Sequence, residues 1–168
     1  MNRYLNQYSI LLILAVLSNA SLAITFDEVE KINWEINKIR YVSDENAYGK
    51  KDHWATPEET KTNGFGDCED YAIAKYFALI KTGVDVDQLK IAYVESKIGP
   101  HMILLYLDEK NTEWVLDNMY RRVLKLTHRK DLKEIYRFNG EGLYLADGTL
   151  LSNNLPQWVD LLSRITSG

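Results

Sequence analysis

GFGDCEDYAIAKYFALIKTGVDVDQLKIAYVESKIGPHMILLYLD, residues 64–108, changes its hydrophobic period partway along. Up to Gly83 the residues Ala72, Ile73, Tyr76, Leu79 and Ile80 fall on one face at helical spacing, and the glycine supplies a stop. Beyond it KIAYVE (90–95) and HMILLYLD (101–108) read as strands, and a short turn around Glu109-Lys110 leads into a third, EWVLDN (113–118). Upstream, residues 25–40 space Phe26, Val29, Ile32, Ile36 and Ile39 as an amphipathic helix. Residues 41–66, with Gly49, Pro57, Gly64 and Gly66, read as a long loop packed on the body. Short strands near Arg121–Leu126 and Gly142–Leu145 and a terminal helix over Leu155–Thr166 complete the pattern. Helices first and an antiparallel sheet second make an α+β domain.

With 168 residues, 46% hydrophobic content and a formal charge of −4, the chain is globular, and nothing in it suits a polyanion partner. Residues 1–23, MNRYLNQYSILLILAVLSNASLA, pair a short region carrying Arg3 with an apolar run and small residues at Ser21 and Ala23. This is the pattern of a secretory signal peptide cleaved after Ala23, and the apolar run is far below the ~20 residues that span a bilayer. The expected mature chain, 24–168, is one exported domain without stable membrane insertion.

Export to an oxidising compartment gives weight to the single cysteine, Cys68, which has no partner within the chain. It is either a small buried apolar residue or a retained reactive thiol. A helix starting at Gly66-Asp67 puts Cys68 in the first turn, where the free N–H groups and the positive helix end favour a thiolate. Asp67, Glu69 and Asp70 oppose it. Helix capping explains some of these acids, with Asp67 as N-cap and Asp70 as the third residue of a capping box. Three acids exceed what one cap needs. A bound Ca²⁺ suits such hard oxygen donors, with Asp44, Asp52 and backbone carbonyls of the loop as candidates to complete the shell, although the spacing is not that of an EF-hand.

His101 opens an apolar strand and Asp117 ends the next, and burying either alone is costly. A three-residue connection sets them directly opposite and a five-residue one makes them diagonal neighbours on one face. A thiol at a helix start, an imidazole and a carboxylate form the constellation of acyl-transfer enzymes: nucleophile, base and orienting acid. Candidate oxyanion donors are the Cys68 backbone N–H and the indole N–H of Trp34 or Trp54.

The blocks DHWATPEET (52–60), GDCEDYAIAKY (66–76), PHMILLYL (100–107) and WVLDN (114–118) resemble the bacterial transglutaminase-like cysteine proteases, and more narrowly the LapG-type proteases that release large surface adhesins. His53 departs from the pattern, which expects an aromatic there. The resemblance implies a papain-like or transglutaminase-like fold, Cys68, His101 and Asp117 as the triad, and Ca²⁺ held by Asp67 and Glu69. It further implies a periplasmic endopeptidase that cuts an adhesin near its N-terminus and is sequestered by an inner-membrane receptor sensing cyclic di-GMP, so that biofilm attachment is controlled. A transglutaminase or amidase would use the same triad. A catalytically silent calcium-binding adaptor would keep Cys68 as core.

Overall fold

The computed structural model describes residues 24–167, so the expected signal peptide lies outside the described residues. Helix α1 (Phe26–Ile36) opens with a reciprocal cap between Thr25 and Glu28 and buries Val29 and Asn33. Strand β1 (Arg40–Tyr41), helices α2 (Asp44–Tyr48) and α3 (Pro57–Asn63) and strand β2 (Phe65–Gly66) follow, then α4 (Cys68–Lys81). Strands β3 (Leu89–Ser96), β4 (Gly99–Leu107), β5 (Glu113–Leu116), β6 (Leu124–Lys125), β7 (Lys133–Phe138), β8 (Leu143–Tyr144) and β9 (Leu150–Ser152) precede the last helix, α5 (Pro156–Ser167). The seven strands β3–β9 form one antiparallel sheet in the order β6-β5-β4-β3-β7-β8-β9, which gives the α+β architecture.

The segment expected as loop, 41–66, is more ordered than its composition suggests. Its two short helices lack long apolar stripes and are set by their ends. In α3, Thr56 and Glu59 cap each other ahead of Pro57, and Gly64 closes the helix in the left-handed region at φ 68°. β1 and β2 pair in parallel, which ties the segment to the start of α4. The strand β7, KEIYRF, was also not apparent in sequence, because charged residues alternate with its apolar ones, yet it pairs with the central β3.

The sheet is buried on both faces. One packs Ile91, Leu104, Leu116 and Phe138 against Val29, Ile73, Leu79 and Trp158 of the helices, and the other gathers Ala92, Val94, Ile103, Leu105 and Val115 under Leu126 and Leu132. A buried branched side chain contributes about 1.5–3 kcal/mol, so α4 is held to the sheet by its apolar flank whatever the polar residues at its start require.

Candidate active site

Cys68 is the first residue of α4, half-buried, with its backbone N–H among those the helix leaves unpaired. Its thiol donates to Glu69 Oε2 at 3.1 Å. Burial, then the charge of Glu69, hold the thiol well above the usual range, opposed by the backbone N–H of Met102. That N–H puts the sulfur beside the strand residue next to His101.

Around the thiol the acids divide. Asp44, Asp67 and Glu69 bring one carboxylate oxygen each within 4.8 Å of one another, all three buried. The main chain helps to place them: Asp44 Oδ2 accepts from the His53 N–H, and Asp67 Oδ2 accepts from the Asp44 N–H at 3.1 Å. The second oxygens, Asp44 Oδ1 and Asp67 Oδ1, are buried without a hydrogen-bond partner. Burial raises Asp44, and burial followed by the charge of Asp67 pushes Glu69 up to about 9. Three buried carboxylates brought together, two of them with an unpartnered oxygen, fit a hard divalent cation such as Ca²⁺.

Asp70 is not part of this cluster. Its Oδ1 accepts from the Ala55 N–H at 2.8 Å and its Oδ2 from the Asp67 N–H at 3.2 Å, so it fastens the preceding segment to the helix start. Burial still lifts it to about 7 against those two bonds. Gly66 leaves room for it: a Cβ at that position would lie 2.7 Å from the Asp70 Cβ. Asp52 is also elsewhere, accepting the Trp54 indole N–H at 2.9 Å. That bond uses the donor expected of Trp54 as an oxyanion contact. Trp34 sits 41% exposed on α1 with the Lys38 ammonium 3.4 Å over its ring, in a surface position. The Cys68 N–H keeps its place at the helix start.

His101 and Asp117 meet. The register Leu107↔Glu113 leaves a five-residue connection, 108–112, and makes them diagonal neighbours. Both are buried, with His101 Nε2 2.9 Å from Asp117 Oδ1. A carboxylate accepts only, so Nε2 carries the proton and Nδ1 the lone pair. Burial raises Asp117, but the bond and charge of His101, the Met119 N–H and Arg129 outweigh it and hold the acid below its ordinary value.

Four neighbours escaped the sequence reading. Arg129 Nη1 lies 2.9 Å from Asp117 Oδ2, as an ion contact without hydrogen-bond alignment. Asn37 donates to the Asp117 carbonyl at 2.9 Å and to that of Tyr120 at 3.0 Å, and buried Asn33 bonds the Tyr120 and Arg121 carbonyls, so the end of α1 clamps the turn after β5. Lys75, two helical turns beyond Cys68, is fully buried with its Nζ unpartnered, and burial lowers it to about 7 against the pull of Asp117.

A sequence profile of the bacterial transglutaminase-like cysteine proteinases (BTLCP) matches residues 17–137. The chain belongs to this family. Calcium-bound LapG of Legionella pneumophila superposes with a TM-score of 0.74 at 38% identity, covering 83% of this chain and 79% of that one. A second structure of LapG from that organism gives 0.72 at 38% identity over 83% and 76% of the two chains, and an EGTA-treated one 0.73 at 38% over 83% and 78%. No curated protein sequence matches. The family membership makes the chain a cysteine proteinase with a transglutaminase-like fold, and among the described residues no helix is long and apolar enough to cross a membrane.

Proposed function

We propose that the chain is a calcium-dependent periplasmic endopeptidase that cuts a large surface adhesin near its N-terminus, with Cys68 as nucleophile, His101 as base and Asp117 as the orienting acid. The observation that carries the reading is the buried His101–Asp117 pair, with the N–H of the next residue, Met102, among the groups that act on the Cys68 thiol. His101 Nδ1 takes the thiol proton, Sγ attacks the scissile carbonyl carbon, and the oxyanion falls to the Cys68 N–H at the positive end of α4. His101 returns the proton to the departing amine. Water then hydrolyses the thioester by the same route in reverse, and Asp117 keeps its bond to Nε2–H throughout, fixing the tautomer of the neutral ring and stabilising the imidazolium.

Asp44, Asp67 and Glu69 are the proposed ligands of Ca²⁺, because these three buried acids bring their carboxylates together and, among the described residues, none of them forms an ion pair. The ion supplies positive charge that offsets Glu69 and Asp67 beside the thiol. On this reading release of the adhesin would end biofilm attachment, and an inner-membrane receptor of cyclic di-GMP would withhold the protease.

The test is cleavage of the recombinant N-terminal region of a large secreted repeat protein from the same cell. Wild-type protein with Ca²⁺ is expected to cut it once and Cys68→Ala not at all. Incorporation of an added primary amine in place of hydrolysis would show a transglutaminase. An inert thiol with intact calcium binding would show an adaptor.

A further inference from the structure

Arg129 belongs to none of the sequence blocks that mark the family, yet it is 4% exposed and meets three groups at once. Its Nη1 lies 2.9 Å from Asp117 Oδ2. Its opposite edge is held by Asp131, with Nε 3.0 Å from Oδ1 and Nη2 2.8 Å from Oδ2. Its flat face lies 4.1 Å from the ring of Tyr120. A guanidinium is rigid and planar, so fixing one edge and one face fixes the direction of the remaining nitrogen.

The carboxylate of Asp117 is shared out in consequence. Oδ1 accepts from His101 Nε2 and from the Met119 N–H, each at 2.9 Å, and Oδ2 faces Arg129. Around this carboxylate stand His101 from β4, Lys75 from α4 and Arg129 from the segment after β6. Of the three, Lys75 has neither a hydrogen bond nor an ion pair, while Arg129 Nη1 meets Oδ2 as an ion contact. Asp131 keeps a quarter of its side chain in solvent and takes Arg129 from the outside, where it does not compete for His101.

We propose that Arg129, clamped by Asp131 and Tyr120, is a positioning residue that aims Asp117 Oδ1 at His101 Nε2 and so selects the imidazole tautomer whose free lone pair is on Nδ1. The inference rests on the triad reading above. A lysine cannot replace it, since one ammonium on a flexible stem cannot serve Asp131 in two bonds and Asp117 in a third direction.

The experiment uses the full calcium-loaded protein with two readouts at one fixed pH: the low-field proton resonance of the His101 Nε2–H, assigned by its loss in His101→Ala, and the rate of Cys68 alkylation by iodoacetamide. Arg129→Gln is expected to lose or broaden the resonance and to slow alkylation ~10-fold or more, as removal of the group that orients a ligand or base does elsewhere. Arg129→Lys should recover less than half of that rate. If Arg129→Gln fails to fold, Asp131→Asn decides, because it leaves the guanidinium charge and frees only its edge; a smaller loss of the same two signals is expected. Wild-type resonance or wild-type rate in the deciding variant overturns the proposal. If His101→Ala also alkylates at the wild-type rate, the triad reading falls together with it; if His101→Ala is slow while the Arg129 and Asp131 variants match wild type, the triad stands and the role of Arg129 alone fails.

Discussion

At the β4–β5 end of the site the buried Asp117 carboxylate meets partners within the chain, whereas between α2 and the start of α4 three buried acids meet mainly one another. Asp117 has His101, the Met119 N–H and Arg129 on its carboxylate, and it is held below its ordinary pKa in spite of burial. Asp44, Asp67 and Glu69 share a comparable depth with two oxygens unpartnered, and Asp44 and Glu69 are pushed upward. On the proposed reading the polypeptide completes one half of the site and leaves the other to be completed by an ion, so that the first half would fix geometry at all times and the second would make the thiol conditional.

The largest effects come from the thiol itself and from the completed half. Cys68→Ala should remove cleavage by about 10⁶-fold while thermal unfolding stays close to wild type, because the thiol supplies the covalent bond and little packing volume. A measurable rate in that variant would move the nucleophile elsewhere. Asp117→Asn should cost ~10⁴-fold, by analogy with the serine-protease case in which the amide releases the wrong imidazole tautomer. Turnover near wild type would reduce Asp117 to a structural acid.

The unfinished half is broken by removing the ion. Asp67→Ala with Glu69→Ala should abolish calcium binding in calorimetric titration and reproduce in excess Ca²⁺ the reversible inactivity expected when a chelator is added to wild type. Binding of Ca²⁺ at 100 times its dissociation constant stabilises the fold by about 2.7 kcal/mol, and the double variant should lose that increment too. Asp70→Asn separates the acids. Its carboxylate holds the Ala55 and Asp67 N–H groups, so the substitution should lower thermal stability while stoichiometric calcium binding remains. Loss of binding in Asp70→Asn would return Asp70 to the ligand set. Magnesium should support neither stability nor activity, because it keeps its waters and demands a tighter octahedron.

What the sequence could reveal follows from the range of each interaction. The meeting of His101 with Asp117 was legible because strand alternation and the length of one connection leave few registers. The helix start at Cys68 was legible because capping is local. Asp67 and Asp70, three residues apart in one acidic run, look alike in sequence. They part only in the fold, where Asp70 turns to Ala55 and Asp67 to Asp44, 23 residues upstream. Lys75 and Arg129 look like ordinary solvated cations until tertiary packing buries them, and no local period marks them. Trp54 offered a free indole donor until Asp52, two residues away, was found accepting it.

The smallest predicted effect sharpens the comparison through pH. In calcium-free protein Glu69 lies at about 9, above its ordinary 4.5, so the folded chain binds more protons than the unfolded one across that window. The stabilisation it brings is present in full at acid pH and is lost as pH rises toward 9. Lys75 has the opposite sign. Its value of about 7 lies below the ordinary 10.5, so between those limits the unfolded chain binds the extra proton and stability rises with pH. From about pH 7 to 9 the two slopes oppose each other and wild-type melting should change little. Lys75→Met keeps the volume and removes the buried amine, and replacing buried charge by apolar atoms is commonly neutral or stabilising. The variant should melt a few degrees higher than wild type at pH 6, where the ammonium is the costly form, by about 1–2 kcal/mol. Without calcium it should also show an uncompensated fall in melting temperature between pH 7 and 9, and saturating Ca²⁺ should flatten that fall by keeping Glu69 ionised in the folded state. A Lys75→Met protein less stable than wild type at pH 6 would mean that the ammonium is already satisfied by Asp117, and the two halves of the site would then share one charge balance.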